Sequence, residues 1–361
     1  MSSPCGFSPA LLREVLPAID REAAATDQDG AYPAAGVAAL HRIGLLAAPL
    51  HGLGTAPEGA DGLALALRLI GRASLPLGRL YEGHVNALRL ILRHGTRDQI
   101  ALGAADARDG HLFAIWNTDD ARAPVRLDGE VLSGRKVLCS GAGFVRRALI
   151  TAEEERGAGP VLLLLPLRPG EGADLSGWQP LGMRASASGA VDFTGMPAPP
   201  QRRIGAPGAY ARQPDFTAGG WRFAAVQCGG IEAVLEALRS HHRRTGRGSN
   251  PHQAARLGQA AIAAEGARLW VQAAARRAES GAPDAVAYTN LARTAVERAA
   301  LDVLELAQRS IGLAGFMRGH PLERIARDLS TYLRQPAPDA ALTEAGSHVL
   351  DTAAEAGDLW A

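Results

Sequence analysis

The spacing of apolar residues changes twice along this chain of 361 residues, and those changes limit the folds open to it. From about residue 8 to residue 108, apolar side chains recur at helical spacing. From about 111 to 204 they fall into short runs between turn residues, which indicates strands. Helical spacing returns from about 217 onward. The sequence therefore predicts helices, then a β-domain, then helices again.

The central region has no helical segment between its short apolar runs. Turn-forming pairs such as Asp128-Gly129 and Ser188-Gly189 separate the runs. Closely spaced strands without intervening helices favour an antiparallel barrel or sandwich. The predicted strands are 112–116, 131–138, 148–151, 161–165 and 190–193.

We expect an α+β multidomain protein with three parts. Residues 1–110 are predicted as an N-terminal α-helical domain, 111–205 as a central antiparallel β-domain and 215–361 as a C-terminal helical bundle. Alanine is abundant on the later helices, and it favours both helix formation and close helix–helix approach. Prolines and glycines between residues 197 and 208 indicate the linker into the bundle.

Composition argues against several classes of site and partner. The net charge is +1 with both signs mixed along the chain, so we expect no nucleic-acid or membrane partner. Cys5, Cys139 and Cys228 are far apart and form no CxxC pair, so we expect neither a disulfide framework nor a metal site. No apolar run reaches membrane-spanning length, and the first residues do not resemble a signal peptide. These features predict a cytoplasmic protein.

One motif in the central region narrows the choice further. The run 132–142 reads Leu-Ser-Gly-Arg-Lys-Val-Leu-Cys-Ser-Gly-Ala. It resembles the β-domain signature of the acyl-CoA dehydrogenase superfamily, whose pattern is close to N-G-x-K-x-W-I-T-N-G. The resemblance implies that Ser140 stands where the family has a small hydroxyl residue beside the flavin N5 edge. Leu138 replaces the family's flanking tryptophan.

Four further stretches agree with this family in order and spacing, so the resemblance spans roughly residues 10 to 340. It implies the family's fold: an N-terminal α-helical domain, a central antiparallel β-domain and a C-terminal four-helix bundle. The stretches are 94–99 (G-T-x-x-Q), 181–188 (L-G-x-R-x-S-x-T), 308–315 (Q-x-x-G-G-x-G) and 323–328 (E-R-x-x-R-D).

The resemblance also implies FAD as the cofactor and a homodimer or homotetramer as the assembly. In the family, FAD lies between the β-domain and the bundle, and a neighbouring subunit helps to hold its ADP end. A buried pyrophosphate needs positive charge and directed N–H donors, and Arg243 or Arg244 corresponds to the family's pyrophosphate arginine. The other implied cofactor contacts are Thr118 with the flavin pyrimidine and Gln308, Gly312 and Gly315 with the ADP part.

The glutamate that removes the substrate's α-proton in most family members is missing. It usually stands nine residues after the arginine of the R-D pair, where this chain has Pro336, preceded by Gln335. Neither side chain can act as a base. A second family arrangement puts the glutamate at the start of the first bundle helix, but residues 219–222 include no carboxylate. Asp339 is the remaining candidate base, and Glu82, in the N-terminal region, is interpreted as a coincidental match to the family's Y-E-G sequence.

Three functions remain open. The main hypothesis is an FAD-dependent oxidoreductase acting on CH–CH donors, which would dehydrogenate an acyl thioester and pass electrons to a partner protein. The second is a monooxygenase or oxidase that uses reduced flavin from a reductase and oxygen, in which His84, His241 or His242 would transfer protons. The third is a non-catalytic, flavin-binding partner subunit.

Overall fold

The structure of the protein is a computed structural model that describes residues 7–154, 157 and 159–360. The chain forms two compact units, each assembled from separate stretches of sequence. The first unit contains the chain up to Leu53, together with Pro76–Pro180 and Arg184–Arg212. The second contains Gly54–Leu75, Leu181–Met183 and the chain from Gln213 onward.

Helices dominate both ends of the chain, as predicted. The helices of the described residues are α1 (Pro9–Ala25), α2 (Ala34–Arg42), α3 (Ala56–Ala73), α4 (Leu75–His94), α5 (Arg97–Arg108), α6 (Asp215–Ala218), α7 (Trp221–Thr245), α8 (Pro251–Ser280), α9 (Ala285–Ile311), α10 (Pro321–Tyr332) and α11 (Pro338–Asp351). None of them is long and apolar enough to cross a membrane.

The G-T-x-x-Q turn begins α5 with a capping box. Thr96 Oγ1 accepts a hydrogen bond from the Gln99 N–H at 3.3 Å, and the Gln99 side chain accepts one from the Thr96 N–H at 2.9 Å. Gln99 Nε2 also donates to the carbonyl oxygens of Gln201 and Arg203, at 2.9 and 2.8 Å. The motif therefore joins a helix start to the end of the β-region in the first unit.

The middle of the chain forms short strands, and each of the five predicted strands overlaps an observed one. The strands are β1 (Phe113–Trp116), β2 (Arg126–Asp128), β3 (Val131–Ser133), β4 (Arg135–Cys139), β5 (Arg147–Glu154), β6 (Val161–Pro166), β7 (Ala173–Asp174) and β8 (Gly189–Asp192). One sheet has the order β1-β5-β2-β3 with β6 also paired to β5, and the other has the order β4-β8-β7.

The β-domain is not purely antiparallel, which corrects the expectation from the sequence. Strand β1 pairs with β5 in parallel, from Phe113 opposite Arg147 to Trp116 opposite Ile150, and β2 also pairs with β5 in parallel. The β5–β6 pair and the smaller sheet are antiparallel. The chain makes β2, β3 and β4 between β1 and β5, which provides the long crossover that a parallel pair requires.

A four-helix bundle forms the centre of the second unit, but one of its helices precedes the β-region. Helix α3 packs on α7 and α8, which pack on each other and on α9. The predicted division at residue 110 placed α3 with the other N-terminal helices. Glycines explain its close contact with α7: a Cβ on Gly71 would lie 2.3 Å from the Val226 carbonyl oxygen, and one on Gly229 would lie 2.2 Å from that of Arg68. Arg68 also forms an ion pair with Glu232 at 2.8 Å.

Cysteine and metal chemistry have little support in the described part of the chain. Cys139 and Cys228 are buried free thiols, and burial raises the pKa of Cys228 to about 12. Cys5 lies outside the described residues. The described residues contain no group of three or more histidine, cysteine or acidic side chains placed to hold a metal ion.

Candidate functional site

Ser140 directly follows β4 in the first unit. The register between β4 and β8 shifts between Lys136 and Cys139, which is a bulge in the strand. Within this bulge Leu138 has a left-handed φ of 56° and is 60% exposed, whereas Ser140 is 8% exposed. Bulges re-aim the side chains beside them. This one exposes the side chain that replaces the family's tryptophan and buries the serine.

Three buried serine hydroxyls form a chain around this position. Ser140 Oγ lies 2.9 Å from Ser188 Oγ, which lies 2.8 Å from Ser186 Oγ. Ala187 has a left-handed φ of 45°, and its carbonyl oxygen accepts a hydrogen bond from the Ala142 N–H at 3.0 Å. Since a hydroxyl can both donate and accept, Ser188 can adjust to either role of Ser140. Ser186 and Ser188 belong to the L-G-x-R-x-S-x-T stretch, but no spacing in the sequence predicts that they contact Ser140.

A small cavity borders Ser140. Trp116, at the end of β1, donates from Nε1 to the Ser140 carbonyl oxygen at 3.0 Å and so holds the serine backbone against that strand. The cavity has space for about one water molecule, and it places a hydroxyl and a guanidinium beside an aromatic wall. Its lining residues are Arg79, Leu80, Gly83, Phe113–Trp116 and Ser140.

Glu82 is linked to that cavity through a hydrogen bond with Arg79. Its carboxylate is buried and accepts hydrogen bonds from Arg79 and Asn86, both on α4, and Arg79 lines the cavity. The Y-E-G sequence was interpreted as a coincidence because it is far from the family's glutamate along the chain. The structure gives Glu82 a definite role in the first unit, which is to hold Arg79 at the cavity wall.

His84 does not have a free ring nitrogen for proton transfer. Its Nε2 lies 2.8 Å from the Leu46 carbonyl oxygen, and its Nδ1 accepts a hydrogen bond from the Phe113 N–H at 3.1 Å. Complete burial lowers the pKa of His84 to about 4, and the hydrogen bond to Leu46 partly opposes that shift. The ring is therefore neutral near pH 7, with Nε2 protonated, and it links α4 to β1.

Thr118 lies just beyond β1 in an exposed position. Its carbonyl oxygen accepts a hydrogen bond from the Val137 N–H at 2.9 Å, which attaches this segment to β4. Its hydroxyl makes no hydrogen bond with the part of the chain that the structure describes. Thr118 is thus accessible for the predicted contact with a flavin ring.

The predicted phosphate-side residues lie at the ends of bundle helices in the second unit. Arg243 and Arg244 are exposed in the last turn of α7, and Gln308 is half-buried in the last turn of α9. A 3₁₀ helix, Gly312–Phe316, follows α9 and leads towards α10. Gly312 has a φ of 74°, a conformation that favours glycine.

No free carboxylate occupies the position of the family's glutamate near residue 336. The Gln335 side chain donates to the Tyr332 carbonyl oxygen at 2.8 Å, and the Pro336 carbonyl oxygen accepts a hydrogen bond from Arg293 at 2.6 Å. Asp339 lies in the first turn of α11 and is exposed, so water surrounds its carboxylate. Glu297, the acid next to this segment, forms an ion pair with Arg334 at 2.7 Å.

The second position for a base, at the start of α7, does contain a carboxylate, but from another helix. Glu279 of α8 pairs with Arg222 at 2.9 Å, and both side chains are at least nine-tenths buried. Trp221 Nε1 also donates to Glu279, at 3.3 Å. The carboxylate of Glu279 is engaged by a buried arginine and an indole, so it is not free to accept a proton from a substrate. Nothing in the sequence indicated that Glu279 would lie here.

Two of the family motifs contact each other in the second unit. The Met183 N–H donates to Asp328 Oδ1 at 2.6 Å, and Arg327 donates to the Leu181 carbonyl oxygen at 2.7 Å. A Cβ on Gly182 would lie 2.1 Å from the Arg327 carbonyl oxygen, so this position requires glycine. The L-G and R-D elements are therefore two halves of one structural contact.

Comparison with known proteins agrees with these motifs. Residues 208–333 match the family model for the acyl-CoA dehydrogenase C-terminal domain. The Mycobacterium tuberculosis protein named "Probable acyl-CoA dehydrogenase FadE25" is 25% identical over 345 residues, which cover 88% of this chain and 86% of that protein. The resemblance to the acyl-CoA dehydrogenase superfamily is therefore confirmed, by the family model over residues 208–333 and by FadE25 over most of the chain.

Other proteins that resemble this chain have different names. L-evernosamine nitrososynthase from a Micromonospora species is 27% identical over 360 residues, which cover 88% of this chain and 83% of that protein. The crystal structure of the dibenzothiophene monooxygenase TdsC from Paenibacillus sp. A11-2, solved with FMN and indole, has a TM-score of 0.80 at 18% identity. That match covers 98% of this chain and 99% of TdsC, and it shows the shared fold.

Proposed function

We propose that this superfamily member is a flavin-dependent monooxygenase. In this reaction an organic substrate, O₂ and reduced flavin give the oxygenated substrate, water and oxidised flavin. A separate NAD(P)H-dependent reductase supplies the reduced flavin, so the two electrons that reduce the second oxygen atom to water come from NAD(P)H. No α-proton has to be removed from an acyl thioester, and no carboxylate base is needed.

The observation that carries this proposal is the chemistry of the two base positions. One has Gln335 and Pro336, and the other has Glu279 fixed by Arg222. A dehydrogenase needs a positioned base with a pKa near the operating pH. The names of similar proteins support the same direction, since a nitrososynthase and a monooxygenase are among them.

The residues of each unit fit a flavin. In the first unit, the Ser140 hydroxyl and the exposed Leu138 side chain provide a polar and an apolar contact of the kind that an aromatic ring system needs. In the second unit, Arg243 and Arg244 provide the positive charge that a phosphate group needs. We take FMN as the form that binds, because TdsC was solved with FMN, with FAD as the alternative that the resemblance implied. The cofactor supplies the redox chemistry with oxygen.

In this proposal the protein's own residues bind and orient the flavin and the substrate. Ser188 bonds to the Ser140 hydroxyl and so fixes its direction, while Trp116 fixes the serine backbone. Arg79, held by Glu82, places a positive charge at the cavity wall, where it favours electron-rich groups. A homodimer or homotetramer and a reductase partner complete the proposal.

An anaerobic and an aerobic experiment together test the proposed monooxygenase function. The protein loaded with oxidised flavin is mixed anaerobically with a panel of acyl-CoA thioesters, and the visible flavin band is followed. We expect no bleaching. The protein is then given a flavin reductase, NADH and ¹⁸O₂ with a panel of amino sugars, aromatic heterocycles and thioethers, and we expect one ¹⁸O atom in a product. Bleaching by an acyl-CoA thioester would overturn the proposal in favour of dehydrogenation, which the similarity to FadE25 supports.

A further inference from the structure

Three histidine side chains meet at one end of the bundle in the second unit. His241 and His242 lie in the last turns of α7, and His320 is the residue that caps the start of α10. The ring centroids of His241 and His320 are 5.7 Å apart, and those of His241 and His242 are 6.1 Å apart. His241 is 6% exposed and His242 is 3% exposed, so both are more than nine-tenths buried.

The ring nitrogens of this cluster have almost no partners within the protein. In the part of the chain that the structure describes, neither nitrogen of His241 or His242 has a hydrogen-bond partner, and neither does Nε2 of His320. His320 Nδ1 accepts a hydrogen bond from the Leu322 N–H at 3.2 Å, so its Nε2 carries the proton and is a donor. Buried polar atoms are normally satisfied, so this cluster is built to donate to a group from outside the chain.

The electrostatics of the cluster determine what kind of group that is. Burial, followed by the charges of His320, Arg244, Arg247 and His242, lowers the pKa of His241. Burial and Arg244 lower the pKa of His320, and burial and Arg247 lower that of His242. Neither arginine forms an ion pair with a described residue. The lowered pKa values leave the three rings uncharged near pH 7, and the charged groups that act on them are the guanidinium groups of Arg244 and Arg247, so the complementary ligand is an anion.

We infer that His241, His242 and His320, with Arg244 and Arg247, form a binding site for the phosphate group of a nucleotide. A phosphate offers three or more acceptor oxygens, which matches several N–H donors on neighbouring rings. Arg244 was already expected to contact a cofactor phosphate, but the three histidines were not. The inference deepens the proposed function and relies on it only for the identity of the nucleotide, which would be the flavin.

A set of ligands that differ in their phosphate tests the site by affinity alone. Binding of riboflavin, FMN, FAD, inorganic phosphate and a nucleoside diphosphate to the flavin-free protein is measured by titration calorimetry. We expect FMN to bind more tightly than riboflavin, and inorganic phosphate to compete with FMN. In His241→Leu and in Arg244→Ala, FMN affinity should fall about tenfold or more, as expected for the loss of a charge-assisted hydrogen bond, while riboflavin affinity stays the same.

Thermal stability separates this role from a purely structural one. Because His241 has no partner in the protein, His241→Leu should raise the melting temperature of the flavin-free protein while it weakens phosphate binding. Arg239→Ala, at an exposed position on the same helix, is the matched control and should change neither quantity. Arg244→Ala changes an exposed side chain and serves if His241→Leu fails to fold.

The outcomes distinguish this inference from the proposed function. Phosphate binding that the variants weaken would support the site even if no ¹⁸O entered any product, and that second result would count only against the monooxygenase. Binding of the nucleoside diphosphate but not of FMN would support the site and assign it to a nucleotide-linked substrate. Equal FMN affinity in wild type, His241→Leu and Arg244→Ala would overturn the inference.

Discussion

Lys136 Nζ lies 2.7 Å from Asp119 Oδ1, and the lysine side chain has no exposed surface. It is the only lysine in the chain. Its ammonium group also bonds to Thr151 Oγ1 at 3.1 Å and to the Asn117 carbonyl oxygen at 3.3 Å. Burial lowers the pKa of Lys136, and the bond to Asp119 opposes that shift. This ion pair connects β4 to the segment after β1, so it supports the backbone that leads to Ser140.

Removing that charge should destabilise the first unit. Lys136→Met leaves the Asp119 carboxylate without its partner, and breaking a buried pair costs about 3–5 kcal/mol. We expect about 3 kcal/mol, the lower end of that range, because the Asp119 side chain is 34% exposed and water can reach it. Denaturant unfolding measures the change. Arg135→Met, next to it but more exposed, is the control, and a loss below about 1 kcal/mol for Lys136→Met would contradict the argument.

His84 predicts how stability depends on pH. Burial lowers the pKa of His84 to about 4 in the folded protein, whereas a solvent-exposed histidine has a pKa of 6.5. Between these pH values the unfolded chain therefore binds more protons than the folded protein. The contribution of His84 to the free energy of unfolding is thus complete above pH 6.5 and is lost as the pH falls towards 4. The loss amounts to about 3 kcal/mol. Urea unfolding at several pH values would measure it.

A glutamine at position 84 provides the control for that measurement. In His84→Gln the amide can donate to the Leu46 carbonyl oxygen and accept from the Phe113 N–H, but it does not titrate. The part of the slope between pH 6.5 and 4 that comes from His84 should disappear in this variant. An unchanged slope would show that other groups cause the acid sensitivity.

Several elements of this fold follow from the sequence, and the reasons are local. Each of the five predicted strands overlaps an observed strand because apolar and β-branched runs lie between turn residues, whereas the short strands β2 and β7 were not predicted. The parallel pairing of β1 with β5 was missed, since pairing partners depend on contacts that are distant in sequence. The same limit applies to α3, whose packing on α7 depends on Gly71 and Gly229.

The candidate site likewise combines residues that a continuous motif predicts with residues that only tertiary contacts bring together. Ser140 was predicted as a flavin contact because its motif is continuous in sequence, and that role stays a prediction, whereas Ser188 and Arg79 come close to it only through tertiary contacts. The histidine cluster joins residues of α7 to His320, about eighty positions later. Glu279 reaches the start of α7 from a different helix. Such contacts have no periodicity or spacing that a single sequence could reveal.

Ser188 should couple oxygen use to product formation. In Ser188→Ala the Ser140 hydroxyl loses its partner and no longer has a fixed direction. The loss of one buried partner should lower stability by about 1–2 kcal/mol. In turnover with reduced flavin we expect more hydrogen peroxide per product than in wild type, measured by peroxidase assay. Ser186→Ala keeps the Ser140–Ser188 bond and should change this ratio less; equal effects of the two substitutions would contradict a role of Ser188 in orienting Ser140.

Glycine-to-alanine substitutions in the bundle should lower stability at some helix positions and raise it at others. Ala at position 71 or 229 places a Cβ within 2.3 Å of a backbone carbonyl oxygen of the facing helix, so α3 and α7 must move apart. We expect Gly71→Ala and Gly229→Ala each to destabilise by about 1–3 kcal/mol, the usual effect of overpacking. Gly258→Ala on α8 meets nothing within 4 Å and should instead stabilise by up to about 1 kcal/mol through helix propensity. Denaturant unfolding of the three variants decides the matter: stabilisation by Gly71→Ala or Gly229→Ala would show that the two helices do not approach as closely as the structure indicates.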